Sequence, residues 1–345
     1  MSAAGVITAS RTAVEALTWS RSVVEPALRA ATERLPAATR RIAGYQLGWW
    51  DEAGRPAAAG GKAVRPALAL ICAAASGGTT RAALPAAVAV ELAHNSSLVH
   101  DDVIDNDETR RHRPTAWRVF GTRAAILGGD ALLILAFDAL ATGPRDRAAR
   151  GVAMLHAAFQ ELLDGQHADL TFEERDDVGL DDCLRMAQAK TGALLACACG
   201  LGALFGGARP DQVEQLRRFG AQLGLAFQVV DDLLGIWGDP AVTGKPRHSD
   251  LASRKKSVPV VAALTSGTAA GRKLAALYRR PEPPAGAELP RAAELVERAG
   301  GRATCQRLAA DLLAEALAAL RSAAPTPVAA AELTALAHYA VGRTH

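Results

Sequence analysis

Apolar residues return every three or four positions along most of the chain, as in VEQLRRFGAQLGLAFQVVDDLL (213–234) and CQRLAADLLAEALAALRSAA (305–324). Alternation of β-branched and polar residues is scarce, and alanine and leucine dominate. This pattern predicts an all-α protein. Turn-forming stretches at 49–61, 76–85, 141–147, 205–210, 237–256, 279–290 and 322–327 delimit helices rather than domains. None is long or polar enough to be an interdomain linker, and no repeat of fixed period appears. The expectation is therefore one large helical bundle domain over residues 1–345. The longest irregular stretch, 237–256, is rich in Gly, Pro, Lys and Asp, and a loop of that length in a compact domain is more often functional than idle.

One apolar run ends abruptly in acid. HDDVIDNDETRRHRPTAW (100–117) carries Asp101, Asp102, Asp105, Asp107 and Glu108, then Arg110, Arg111 and Arg113. If Leu84 to Asp105 is one helix turning about 100° per residue, Asp101 and Asp105 lie about 40° apart and Asp102 falls within the same arc of about 100°. His94, seven positions before Asp101, falls on nearly the same stripe. Two carboxylates about 5 Å apart repel by roughly 3 kcal/mol at an effective dielectric near 20. An isolated DDxxD would be read as a solvated helix end, but helix C-termini favour Lys and Arg, so this acid calls for a cation. Oxygen-only donors suit Mg²⁺ completed by substrate phosphates, and no Cys or His set has zinc spacing. Arg110 and Arg111 then suit phosphate oxygens.

A second acidic helix end follows in GLAFQVVDDLLGIWGDPAVTGKP (224–246). Gln228 precedes Asp231 and Asp232 by three and four positions on their face. The next loop carries Asp239, Lys245, Asp250, Lys255 and Lys256 and could close over a charged ligand. Two basic elements lie elsewhere. GGKAVRP (60–66) sets Lys62 and Arg65 three apart behind glycines that permit close backbone approach to a ligand. Lys190 and Thr191 open the apolar stretch AKTGALLACACGLGAL (189–204).

Composition narrows the classes. The chain has 345 residues, half of them apolar, enough for a large core, and a net charge of only +3, which excludes a global pull toward nucleic acid. Its five cysteines form no CxxC pair and sit mostly in apolar stretches, which fits a reduced, cytoplasmic protein. No uninterrupted apolar segment reads as a signal peptide or membrane span.

In order and spacing, GGKAVRP, ELAHNSSLVHDDVIDNDETRRHRPTAW, AKTG, FQVVDDLLGIWGDPAVTGKP and RKKSVP resemble the trans-isoprenyl diphosphate synthases, or polyprenyl synthetases. The resemblance implies a helical homodimer whose subunits each surround a deep apolar cavity. It further implies that Asp101, Asp102, Asp105, Asp231 and Asp232 hold Mg²⁺, three ions in all, against an allylic diphosphate. Lys62, Arg65, His94 and Arg111 match the isopentenyl diphosphate pocket. Arg110, Lys190, Thr191, Gln228, Lys245 and Lys255 match contacts of the allylic substrate.

The chain departs from that pattern at Gly235, where many relatives carry a third aspartate. Asp239 and, in the first cluster, Asp107 are candidates to compensate. Short-chain farnesyl-making relatives often place an aromatic one turn before the first aspartates; here Ser96 and Ser97 are small, which favours geranylgeranyl diphosphate, with Ile126 or Leu127 as alternative walls. A terpene cyclase, the rival class, typically pairs DDxxD with an Asn/Ser/Glu motif in place of a second Asp pair.

Overall fold

The computed structural model describes residues 10–57, 60–244 and 246–342, apart from the side chains of 242 and 243. In chain order the helices are α1 (Ala13–Thr32), α2 (Ala37–Gln46), α3 (Val64–Ala75), α4 (Thr80–Ile104), α5 (Ala116–Phe120), α6 (Thr122–Ala141), α7 (Arg145–Glu174), α8 (Leu180–Ala187), α9 (Ala193–Gly206) and α10 (Pro210–Trp237). The short α11 (Pro240–Thr243) and α12 (Ser249–Ala252) lead to α13 (Val258–Leu264), α14 (Ala269–Tyr278), α15 (Glu288–Arg298), α16 (Gly301–Ser322) and α17 (Pro327–Val341). A hairpin of β1 (Thr109–Arg110) and β2 (Arg113–Pro114) and a π-helical turn at Gln188–Gly192 interrupt the α-helical pattern.

Two compact units emerge. The first comprises Met1–His156, Cys197–Arg217 and Ala319–Ala337; the second comprises Ala157–Ala196, Arg218–Ala318 and His338–His345. In the first unit, α1 starts with a reciprocal cap in which the Thr12 hydroxyl accepts from the Glu15 N–H and the Glu15 carboxylate accepts from the Thr12 N–H. α4 packs against both α3 and α6. Val88, Ala89, Val90, Leu92 and Ala93 leave no dry face on it unburied, so it runs through the core and presents its acidic end at the edge. Trp49 and Trp50 are packing anchors. Trp49 lies under the Arg29 guanidinium at 4.5 Å, and the Trp50 indole fills the space over Gly44 and donates from Nε1 to the Arg41 carbonyl at 2.8 Å.

In the second unit, Phe172, Cys183, Met186, Val229, Val230, Leu233 and Val258 form one apolar cluster. Ile236, Leu251, Val260, Leu274 and Val296 form another. Glycines bring the π-helical turn and α10 together, since a Cβ on Gly224 would lie 2.7 Å from the Gly192 Cα.

Several expectations are corrected. α4 begins at Thr80, inside the stretch 76–85 read as a break, because Thr79 caps it by accepting from the Ala82 N–H at 3.2 Å. The segment 105–115 is a hairpin that periodicity gave no sign of. The loop 237–256 contains two short helices. Three helical spans, Thr122–Ala141, Leu180–Gly206 and Pro210–Trp237, are long and apolar enough to cross a membrane, contrary to the reading that none is. Of the apolar window in Leu180–Gly206, 78% is buried inside the protein, as a core helix requires.

α9 lies against α3 through small residues. A Cβ on Gly206 would sit 2.7 Å from the Ala73 Cα, so Gly206→Val should lower stability by about 3 kcal/mol in urea denaturation. A loss below about 0.5 kcal/mol would contradict this close backbone contact.

Candidate active site

The first acidic cluster does not present its three expected ligands alike. Asp102 is 1% exposed; its Oδ1 accepts from Arg110 Nε at 2.5 Å, while its Oδ2 is buried with no hydrogen-bond partner. Burial pushes its carboxyl up to about 6, against the pull of Arg110. Asp101 is partly exposed, and Asp105, the C-cap residue of α4, is exposed. Arg110 also lies 3.7 Å from both Asp101 and Asp107. Asp102 therefore braces Arg110, and Asp101 and Asp105 keep more access to solvent.

The hairpin explains how Arg110 gets there. Its two turn residues, Arg111 and His112, both adopt left-handed backbone, at φ 53° and 60°. Such turns favour Asn-Gly, and a non-glycine residue held there is strained by about 1–3 kcal/mol. The Thr115 hydroxyl and the Trp117 Nε1 both donate to the Asp107 carbonyl, at 2.8 and 2.9 Å, tying the hairpin back to the acidic segment.

The basic elements of this unit converge too. Lys62 and Arg65 flank Ala63, another left-handed residue at φ 54°. The expected close approach at Gly61 is made by a protein cation: a Cβ there would lie 2.6 Å from the Arg111 guanidinium. His94 is partly buried, and burial followed by Arg65, Arg111 and Arg110 holds its imidazole well below its ordinary value. Ser96 is fully buried and its hydroxyl has no hydrogen-bond partner. Ser97 is partly exposed and donates to the His94 carbonyl at 2.8 Å. Ile126 and Leu127, considered as walls, are 41% and 60% exposed on α6.

In the second unit the π-helical turn sets the direction of Lys190 and Thr191. Lys190 Nζ donates to Asp169 Oδ2 at 2.7 Å. Burial pushes Asp169 up, but Lys255 and Lys190 outweigh it and hold the carboxyl below its usual range. Thr191 Oγ1 donates to Gln228 Oε1 at 2.6 Å, and Gln228 Nε2 donates to Asp232 Oδ1 at 2.8 Å. The Val258 N–H donates to Asp232 Oδ2 at 2.9 Å. Asp232, 4% exposed, is pushed up to about 6 by burial, with Lys255 opposing and Asp250 adding. Asp231 is partly exposed.

The gap at Gly235 is filled by Asp250, because a Cβ on Gly235 would lie 2.5 Å from Asp250 Oδ1. Asp239 caps α11, accepting from the Ala241 N–H at 2.9 Å. Lys245 lies outside the described residues. No spacing in the chain announced Asp169, which sits 21 positions before Lys190. Among the described residues, no three His, Cys, Asp or Glu side chains gather into a ready cation cage. Mg²⁺ does not need one, since it normally takes one or two carboxylates plus substrate phosphates.

α4 thus ends in a buried, protein-held carboxylate beside more open aspartates; α10 carries a like pair, Asp231 and Asp232, but contrary to expectation does not end there and runs on to Trp237. Both helices belong to an all-α frame of the isoprenoid synthase class. The polyprenyl synthetase model matches residues 49–296. A (2E,6E)-farnesyl diphosphate synthase of Mycobacterium tuberculosis (strain ATCC 25618 / H37Rv) is 44% identical over 338 residues, covering 97% of this chain and 94% of the relative. A geranylgeranyl diphosphate synthase of the same strain is 48% identical over 312 residues, 89% of each. The crystal structure of a polyprenyl synthetase from Streptomyces coelicolor A3(2) superposes with a TM-score of 0.90 at 45% identity, covering 95% of this chain and 99% of that one. The chain belongs to the polyprenyl synthetase family, and it is a trans-prenyltransferase of isoprenoid biosynthesis.

Burial of Asp102 has a measurable consequence. Its folded-state value of about 6 lies above the unfolded value of about 3.9, so the folded protein keeps a proton that the unfolded chain has lost. This contribution favours folding below about pH 4 and disappears as pH rises through about 6. In metal-free protein, Asp102→Asn should therefore reduce the fall in stability between about pH 4 and 6.5 by roughly 2 kcal/mol, read by denaturant titration at each pH. Parallel pH curves for the variant and the parent would contradict the burial.

Proposed function

We propose that this prenyltransferase condenses isopentenyl diphosphate head to tail with an allylic diphosphate, using three Mg²⁺ ions, and stops at geranylgeranyl diphosphate. The observation that carries the reading is the division of labour within both acidic pairs. Asp102 and Asp232 are buried and immobilised, while Asp101, Asp105 and Asp231 keep more open carboxylates suited to a hard cation. The family is magnesium-dependent. When bound, Mg²⁺ would neutralise the departing diphosphate so that the allylic C–O bond can ionise.

The chain's own residues supply the remainder. Arg110, Lys190, Thr191, Gln228, Lys245 and Lys255 orient the allylic diphosphate. Lys62, Arg65 and Arg111 hold isopentenyl diphosphate, and His94 donates to it as a neutral imidazole, adding a hydrogen bond without a charge. The isopentenyl double bond then attacks the allylic cation, and the released diphosphate takes the proton that leaves. This reading takes residues 1–345 as one functional domain. The small size of Ser96 and Ser97, one turn before Asp101, supports the twenty-carbon product over the fifteen-carbon one.

A mass-resolved assay with dimethylallyl, geranyl and farnesyl diphosphates should show isopentenyl diphosphate consumed and a twenty-carbon product. No consumption would refute the condensation, and arrest at fifteen carbons would refute the product. Ser96→Phe should shift the product to fifteen carbons if Ser96 forms the floor.

The homodimer is supported by an apolar stripe on α6, where Leu127 and Ile134, 60% and 68% exposed, lie two turns apart. Leu127→Asp should convert a dimer to a monomer in sedimentation velocity; a parent that sediments as a monomer would contradict this. The five free cysteines, all buried, support a reducing, cytoplasmic setting.

A further inference from the structure

Glu91 lies on α4, one turn before His94, where the helix is otherwise apolar. It is only 8% exposed. Its Oε1 accepts from Asn95 Nδ2 at 3.1 Å, and the same amide nitrogen donates to the Glu91 carbonyl at 2.8 Å, so its rotamer is held from one side. Such a carboxylate is costly to bury unless cations surround it.

Three guanidiniums act on it through space, each from a different element. Arg65 comes from α3, Arg111 from the strained tip of the hairpin, and Arg21 from α1. Burial raises the Glu91 carboxyl, and Arg111, Arg65, the Asn95 hydrogen bond and Arg21, in that order, counter it in part. Arg21 and Arg111 meet at Gly61, since Arg21 donates to the Gly61 carbonyl and the Arg111 guanidinium fills the space a Gly61 side chain would need. Glu91, Arg21 and Gly61 line a common cavity of about 170 Å³. Three positive charges and one negative leave a surplus of two. Without the carboxylate, Arg111 would lose its strongest favourable partner while Arg110 and Arg21 still opposed its charge.

We propose that Glu91 is a positioning residue of the isopentenyl diphosphate pocket, holding Arg65 and Arg111 side by side, with Arg21 as a further cation of that set. The proposal rests on the reading under which Arg65 and Arg111 receive isopentenyl diphosphate. Glu91→Gln keeps the side-chain shape and the oxygen that accepts from Asn95, and it removes only the charge.

The expected result is a KM for isopentenyl diphosphate raised about tenfold, with the KM for the allylic primer and kcat within about twofold of the parent. Glu91→Asp should recover part of the loss. A double-mutant cycle of Glu91→Gln with Arg111→Gln, read by thermal midpoint without substrate, should show that the two shifts do not add. Additive shifts, or unchanged KM values for both substrates, would overturn the role of Glu91. Non-additive shifts with only the allylic KM raised would instead overturn the pocket assignment, which separates failure of this inference from failure of the underlying reading.

Discussion

Keeping a carboxylate out of water on a core helix is the constraint that organises this protein. Asp102 on α4 and Asp232 on α10 meet it separately, in different units and with different donors. One is held by a guanidinium, the other by a side-chain amide and a backbone N–H. Both are lifted to about 6, so neither is a comfortable anion. A hydrophobic residue of similar volume would be cheaper in folding free energy, so retention of two such groups points to a use other than stability. Each sits beside an aspartate with more access to solvent, and a rigid neighbour gives that open carboxylate a defined position without giving it a full cage.

Backbone strain gathers around the same groups. Ala63 stands between Lys62 and Arg65, and Arg111 and His112 form a hairpin tip without glycine, all in the left-handed region. Any of them could be relaxed by glycine, and the fold keeps side chains there instead. Near the other acidic pair, one extra residue in a π-helical turn presents Lys190 and Thr191, and glycine appears where a carboxylate from a later segment must come close, at Gly235 under Asp250. Local conformation at these positions is subordinate to the placing of charge.

Helices were legible because their signal is periodic and local. The acidic ends, the basic pairs and the amide of Gln228 were legible because helical spacing places them on one face. The hairpin was not, since strands of two residues have no period to detect and its turn lacks the usual glycine. Asp169 as the partner of Lys190, Asp250 as the group under Gly235, and Arg21 beside Gly61 depend on contacts between elements distant in the chain. The helical arc of Asp101, Asp102 and Asp105 was read correctly as an arc, but it gave no means of telling which carboxylate turns inward. The apolar helices of membrane-spanning length were missed because a large all-α core requires helices as long and as greasy as a bilayer does.

The central claim is that the open aspartates hold magnesium only in partnership with a diphosphate, the buried ones serving as braces. Calorimetric titration of the protein with inorganic diphosphate, with and without Mg²⁺, tests it directly. Diphosphate should bind tightly with Mg²⁺ and only weakly without it, and Mg²⁺ alone should bind weakly. Equal diphosphate affinity in both conditions, or tight binding of Mg²⁺ in the absence of diphosphate, would contradict the account.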